Sequence, residues 1–169
     1  MTRWRPHAHI RVVAIGLHWR DGRLLAAEVR DDAGRIKGVR PLGGEIEFGE
    51  SWRAALAREF NEELGIDVVL KGEPLMLENI FAHEGATGHE VMFISEVEFP
   101  DAAFRDHDHI DFREDNGAHV VARWFDLADL DVEGAPSLFP TGLKDLLLGQ
   151  KTRRRERRSL HRRSPESRR

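Results

Sequence analysis

The chain has 169 residues and not one cysteine. Disulfides, thiolate metal centres and a cysteine nucleophile are therefore excluded. A long apolar run is missing too. The N-terminal Met-Thr-Arg-Trp-Arg-Pro-His-Ala-His has no signal-type core, and Val12 to Leu17 is too short for a leader or a span and reads as a buried strand. A soluble cytoplasmic protein that does not contact membranes is the expectation. No internal repeat is visible. With 40% apolar residues the chain can still bury one sizeable core, so a single domain over residues 8–149 is predicted.

Residues 150–169 are a different material. From Lys151 to Arg169 there are ten Lys/Arg, two acids and one leucine, so this stretch carries +8 while residues 1–150 carry −12. A segment with so little to bury is expected to be disordered. Its charge suits weak, sequence-blind polyanion binding, though a plain solvated terminal extension is the ordinary reading of such a segment.

The body of the chain alternates strand and turn signals. His9 to Trp19 and Leu24 to Val29 read as a hairpin about Arg20-Asp21-Gly22, whose Asp-Gly pair supplies the positive φ of a tight turn. Lys37 to Pro41 leads into a glycine pair. Val68 to Phe81 reads as extended and interrupted at Gly72 and Pro74, followed by a loop His83 to His89 and a strand Glu90 to Phe99. A polar insertion from Pro100 to Glu114 precedes an Asp115-Asn116-Gly117 turn and a strand His119 to Phe125. Short helical pieces are expected at Leu127 to Leu130 and Gly142 to Leu148.

One segment is unambiguously helical. Ser51 is a good N-cap before an Ala/Leu-rich run, and Gly65 is a good left-handed stop, so residues 52–64 should be a helix with Trp52, Leu56, Phe60 and Leu64 as its buried stripe. Glu59, Glu62 and Glu63 stand at i, i+3 and i+4 and share a neighbouring face. Three like charges at that spacing repel, and a solvated acidic face is the ordinary reading. A hard divalent cation bound by oxygen would reverse the cost, and Mg²⁺ or Mn²⁺ suits such ligands. Just upstream, Pro41-Leu42-Gly43-Gly44 offers backbone that a metal or phosphate can approach without meeting a Cβ.

The whole run from Gly44 to Ile66 resembles the signature box of the Nudix hydrolases, G-x5-E-x7-R-E-U-x-E-E-x-G-U, with U a bulky apolar residue. Gly44, Glu50, Arg58, Glu59, Glu62, Glu63 and Gly65 fill all seven fixed letters, and Phe60 and Ile66 stand at the U positions, where an aliphatic residue is more usual than Phe60. The resemblance implies an α/β/α sandwich around a mixed β-sheet, and a Mg²⁺- or Mn²⁺-dependent hydrolase that cleaves a pyrophosphate bond in a nucleoside diphosphate linked to another group. By position, Glu59, Glu62 and Glu63 would hold metal, the Gly43 carbonyl would add a ligand, and Glu50 would be a further metal carboxylate or a support for one. Arg58 would orient the glutamates, and its reach one turn on extends to Glu62.

The general base is Glu59 in some members and a loop acid in others, for which Glu84 and Glu90 are the candidates here. Arg40, beside the glycine pair, is a candidate phosphate contact, and Glu90 a candidate substrate contact. Phe81 and Trp124 can stack a nucleobase or belong to the core. His107-Asp108-His109-Ile110-Asp111 can hold a metal or be solvated. The expected partner is a small nucleotide derivative such as ADP-ribose, a dinucleoside polyphosphate or a nucleoside triphosphate, with a homodimer as an allowed state. RNA 5′-end hydrolysis, argued only from the basic tail, and non-catalytic nucleotide sensing are the alternatives.

Overall fold

The computed structural model describes residues 5–114 and 117–150. The basic stretch 151–169 and residues 115–116 of the expected Asp115-Asn116-Gly117 turn lie outside the described residues. The strands are β1 (Ile10–Leu17), β2 (Trp19–Arg20), β3 (Arg23–Arg30), β4 (Ile36–Arg40), β5 (Gly43–Glu45), β6 (Val69–His83), β7 (Ala86–Glu98), β8 (His109–Arg113), β9 (His119–Phe125) and β10 (Ser137–Leu138). Helix α1 (Trp52–Leu64) follows β5, a 3₁₀ turn occupies Leu127–Asp129, and a second helix, α2, covers 143–150.

The strands form two sheets of mixed direction, β5-β1-β7-β6 and β10-β4-β3-β9-β8, with β2 paired to β3. β1 runs parallel to β7, and β10 parallel to β4; the other pairs are antiparallel. Alternation along the strands divides the core in two. From β1, Val13, Ile15 and Leu17 pack with Leu24 and Ala26 of β3 and with Leu143 and Leu147 of α2. Ala14 and Leu25, one residue out of phase, pack instead with Leu56 and Phe60 of α1. Each sheet thus presents opposite faces to two helical elements, the α/β/α arrangement.

Several local expectations change. The long hairpin does not form, because β1 pairs with β5 and β7, and only the two residues of β2 turn back onto β3. Asp21 and Gly22 do adopt positive φ (51° and 79°), so the turn chemistry is as read and the strand preceding it is much shorter. The loop His83 to His89 shrinks to Glu84-Gly85, at φ 49° and 82°, with His83 paired to Ala86. Gly72 and Pro74 mark a register shift between Lys71 and Leu75, not a break in β6. Part of the expected polar insertion is strand β8, whose Ile110 and Phe112 point inward between exposed His109, Asp111 and Arg113. On α1 the fully sheltered residues are Ala55, Leu56, Glu59 and Phe60, while Trp52 and Leu64 at the ends are half-buried, and Trp52 stacks on Phe93.

Candidate active site

Ser51 and Gly65 bracket α1 as their chemistry dictates. The Ser51 hydroxyl accepts from the Ala54 amide, and Gly65 stands at φ 67° with its N–H on the Asn61 carbonyl. This fixes the rotation of the helix, so that Phe60 enters the core and Glu59, one residue back, faces β5. Glu59 is 7% exposed although ionisable. It fits because Gly44 has no side chain: a Cβ there would fall on the Glu59 carboxylate. Gly43 is constrained differently, at φ 139° and so close to the Ala14 carbonyl that a Cβ would collide with it.

Arg58 gathers the acidic groups. Its Nε and Nη2 donate to the two oxygens of Glu50 at 2.9 and 3.0 Å, a bidentate fork, while Nη1 donates to Glu59 at 2.9 Å and Glu62 at 3.1 Å. Nη2 also donates to the Glu45 carbonyl at 3.1 Å, which ties the helix to β5. Glu50 additionally accepts the Glu47 amide at 3.1 Å. The hydrogen bonds from Arg58, helped by that amide, hold the Glu50 carboxyl below its usual range against the opposing effect of burial. Arg58 is correspondingly raised above its ordinary value, first by the Glu50 bonds and then by Glu59 and Glu62. Glu63 is half-buried on the same helix.

The chain matches the NUDIX domain family model over residues 7–144. It belongs to the Nudix family. Among solved structures, the E. coli ORF135 protein is similar at 22% identity, over 86% of this chain and 93% of that one, with a TM-score of 0.57. A MutT NUDIX hydrolase from Burkholderia pseudomallei is 25% identical over 80% of this chain and 95% of that one, at TM-score 0.54. A MutT protein from Methanosarcina mazei Go1 is 18% identical over 90% and 99%, also at 0.54. No curated protein matches the chain significantly. The fold and family are those of pyrophosphohydrolases, enzymes that generally use divalent cations and act on small nucleotide derivatives.

The donor chemistry fits such a cation. The acidic side chains of α1 offer only oxygen, and the bare Cα of Gly44 leaves the Glu59 carboxylate seated beside the β5 backbone. In this Nudix domain Arg58 stands among these carboxylates, and no group of three or more His, Asp or Glu is drawn into one coordination sphere among the described residues. A cation held by Glu59 and Glu62 would share these carboxylates with Arg58, which donates to one oxygen of each.

The remaining candidates are dispersed. Glu90 is not beside a loop. It sits inside β7, 3% exposed, and accepts from Arg11 at 3.0 Å, because β7 begins at Ala86, earlier than the expected strand start at Glu90. Glu84 is exposed at that turn. Arg40 ends β4, half-buried, two residues from the Leu42 of the glycine loop. Trp124 is core, 7% exposed, and its ring is capped by the Arg20 guanidinium at 3.4 Å, so it offers no stacking face to a ligand. Asp111 is taken by two histidines, His109 and His119, each at 3.0 Å, and with His107 and Asp108 makes no metal-holding group among the described residues. Among the described residues no helix is long and apolar enough to cross a membrane.

Sequence reasoning missed Arg11, which joins Glu45 at 2.9 Å and Glu90 at 3.0 Å, and Asn79, buried opposite Glu90 in β6. The signal was there: both are polar intrusions at inward positions of period-2 strands otherwise filled by Val13 and Ile15, or by Leu75 and Leu77.

Proposed function

We propose that the chain is a Mg²⁺- or Mn²⁺-dependent hydrolase of the pyrophosphate bond in a nucleoside diphosphate linked to another group, with ADP-ribose, dinucleoside polyphosphates and nucleoside triphosphates as the substrate class. The observation that carries the reading is the Arg58 hub, a guanidinium forked onto Glu50 and shared by Glu59 and Glu62 against a glycine that leaves room for the Glu59 carboxylate. A fully solvated acidic helix face has no use for such an arrangement, and the cost of concentrating these carboxylates is recovered only when cationic charge is present.

In this reading Glu59, Glu62 and Glu63, with the Gly43 carbonyl, hold the cation, which supplies charge neutralisation on the phosphates and a lowered pKa for the attacking water. Arg58 fixes the rotamers of Glu59 and Glu62 before substrate arrives, so little reorganisation remains to be done in the transition state. Glu50, with both oxygens on Arg58, acts by positioning that guanidinium, and it stays ionised because of it. Glu59 is the general base in this reading, its sheltered carboxylate seated against Gly44 of the glycine pair. Arg40, which forms no ion pair among the described residues, contacts a phosphate beyond the glycine pair.

Hydrolysis of a panel of nucleotide substrates with Mg²⁺ and with Mn²⁺, comparing wild type with Glu63→Gln, Glu59→Gln and Glu84→Ala, tests all of this. Glu63→Gln and Glu59→Gln should fold and lose ~10²-fold or more in turnover, the scale of losing one preorganised charged group or general base. Near-normal activity in folded Glu63→Gln would sink the metal assignment, and Glu84→Ala being the worst of the three would move the base out of α1.

A further inference from the structure

Three of the buried polar residues, Asn79, His83 and Glu90, lie on one face of the β6–β7 hairpin. Asn79 is directly opposite Glu90, and Glu90 is directly opposite Arg11, so Arg11, Glu90 and Asn79 form one transverse row on three adjacent strands. The next row inward, Val13, Met92 and Leu77, is apolar core. The next row outward contains Gly88 and Phe81, and a Cβ at Gly88 would strike the Phe81 ring, so the half-buried ring lies across a bare Cα.

The three polar side chains of the row are not equivalent. Arg11 and Glu90 satisfy each other, and Arg11 also reaches the Glu45 carboxylate, whose own backbone carbonyl accepts from Arg58. Asn79 is 8% exposed, and its carboxamide hydrogen-bonds to no protein group among the described residues. The carboxamide is not among the fully buried unpartnered side-chain atoms of the described residues, so its donors and acceptor keep some contact with solvent and stay open to a ligand's polar edge. The row is thus joined to the Arg58 hub through one residue, Glu45, and ends in an amide ready to pair beside an aromatic ring.

We propose that Asn79 and Phe81 recognise the base of the nucleotide: the carboxamide pairs with a purine edge that presents an amino donor next to a ring-nitrogen acceptor, as adenine does, and the ring stacks on its face. The inference rests on the hydrolase reading of the Arg58 hub and names its substrate as an adenine nucleotide linked through a diphosphate. An Asn or Gln carboxamide matches that edge bidentately, and an aromatic ring contributes stacking without choosing among bases. Arg11, clamped between Glu45 and Glu90, is a positioning residue that holds the floor on which Asn79 stands.

The test uses the full chain in metal-free buffer, titrated calorimetrically with AMP, UMP and ribose 5-phosphate. AMP should bind ~10-fold or more tighter than the other two, the discrimination of one bidentate pair. Asn79→Leu should abolish the preference for AMP over UMP, Asn79→Asp should lose it too by removing the amide donor, and Phe81→Ala should weaken AMP ~10-fold while leaving ribose 5-phosphate unchanged. Phe81→Leu serves if the alanine variant is unfolded by circular dichroism. A wild type that binds AMP no tighter than ribose 5-phosphate, one that favours UMP, or a preference that survives Asn79→Leu overturns the proposal. Hydrolysis of ADP-ribose with Mg²⁺ is measured separately: a base preference without turnover sinks the hydrolase reading alone, and turnover without a base preference sinks this one alone.

Discussion

Replacing Arg58 by glutamine keeps the length and most of the shape of the side chain but removes the charge and the fork. Wild-type Arg58 makes two charge-assisted bonds to Glu50, one to Glu59, one to Glu62 and one to the Glu45 carbonyl. Side-chain exposure is 24% for Arg58, 16% for Glu50, 10% for Glu59 and 45% for Glu62. The Glu62 contact is open enough to be screened and contributes about 0–0.5 kcal/mol. The other three ionic bonds are sheltered, and at about 1 kcal/mol each after a discount for residual solvent they sum to about 3 kcal/mol.

Losing them also leaves Glu50, Glu59 and Glu62 facing one another without a cation. For a chain of this size, about 3 kcal/mol corresponds to a fall in Tm of roughly 6–12 °C. Arg58→Lys keeps the charge but not the planar fork and should lose about half as much. The two variants also respond differently to pH. Glu50 is depressed from 4.5, so its contribution is present above that value and disappears as pH falls through its lower folded value; the gap between wild type and Arg58→Gln should close in the same range. Urea unfolding at pH 7 and in steps towards pH 3, with and without Mg²⁺, reads every part of this. Added Mg²⁺ should restore stability to Arg58→Gln more than to wild type, because cation binding to the folded state is then the only neutralisation left. Arg58→Gln within 0.5 kcal/mol of wild type at pH 7 would show that the hub stabilises nothing, an outcome the estimate of about 1 kcal/mol per sheltered bond does not allow.

Gly44→Ala places a methyl on the Glu59 carboxylate, so turnover should drop ~10²-fold while the fold survives, and unchanged kinetics would show that Glu59 need not sit against β5. His18 is stacked on Phe99 with ring centroids 3.7 Å apart and is pushed below 6.5, chiefly by burial and against the Val97 carbonyl; its neutral form is favoured in the fold, so stability should fall as pH drops from 6.5 through its lower folded value. Thermal melts of His18→Phe across that range should show a flatter profile than wild type, and parallel curves would assign the acid loss elsewhere. Deleting residues 151–169 should leave kcat/KM on nucleotide substrates within about threefold, since an arm without fixed geometry cannot preorganise a site; a large, salt-dependent loss on RNA in the same deletion would instead favour the 5′-end reading.

What was legible in the sequence was what short-range chemistry determines. Ser51 and Gly65 announce the ends of α1 by themselves, and the i, i+3, i+4 spacing of Glu59, Glu62 and Glu63 follows from helix geometry once those ends are known. The reach of Arg58 to Glu62 is a one-turn relation and needed no tertiary information. Glu50 is eight residues from Arg58, outside the helix, and only the loop that returns Glu47 to Glu50 brings its carboxylate under the guanidinium. That arrangement gives Glu50 a partner before any metal is considered.

Strand partnership was not legible for a corresponding reason. Only the two-residue β2 and a turn dipeptide lie between β1 and β3 beyond His18, yet β1 joins a parallel partner over seventy residues away, because its two apolar faces are both buried and a hairpin would have left one of them in water. The same long-range choice moves Glu90 from an expected strand start beside a loop to the interior of a sheet, and Arg11 meets it there in the parallel register. A polar residue on such a strand therefore carries information that its immediate neighbours do not. Asn79 stands on the edge strand β6, yet beside a buried ion pair on a three-strand row it is largely sheltered and makes no hydrogen bond to the protein among the described residues, and such an amide is what a ligand's hydrogen-bonding edge can complete.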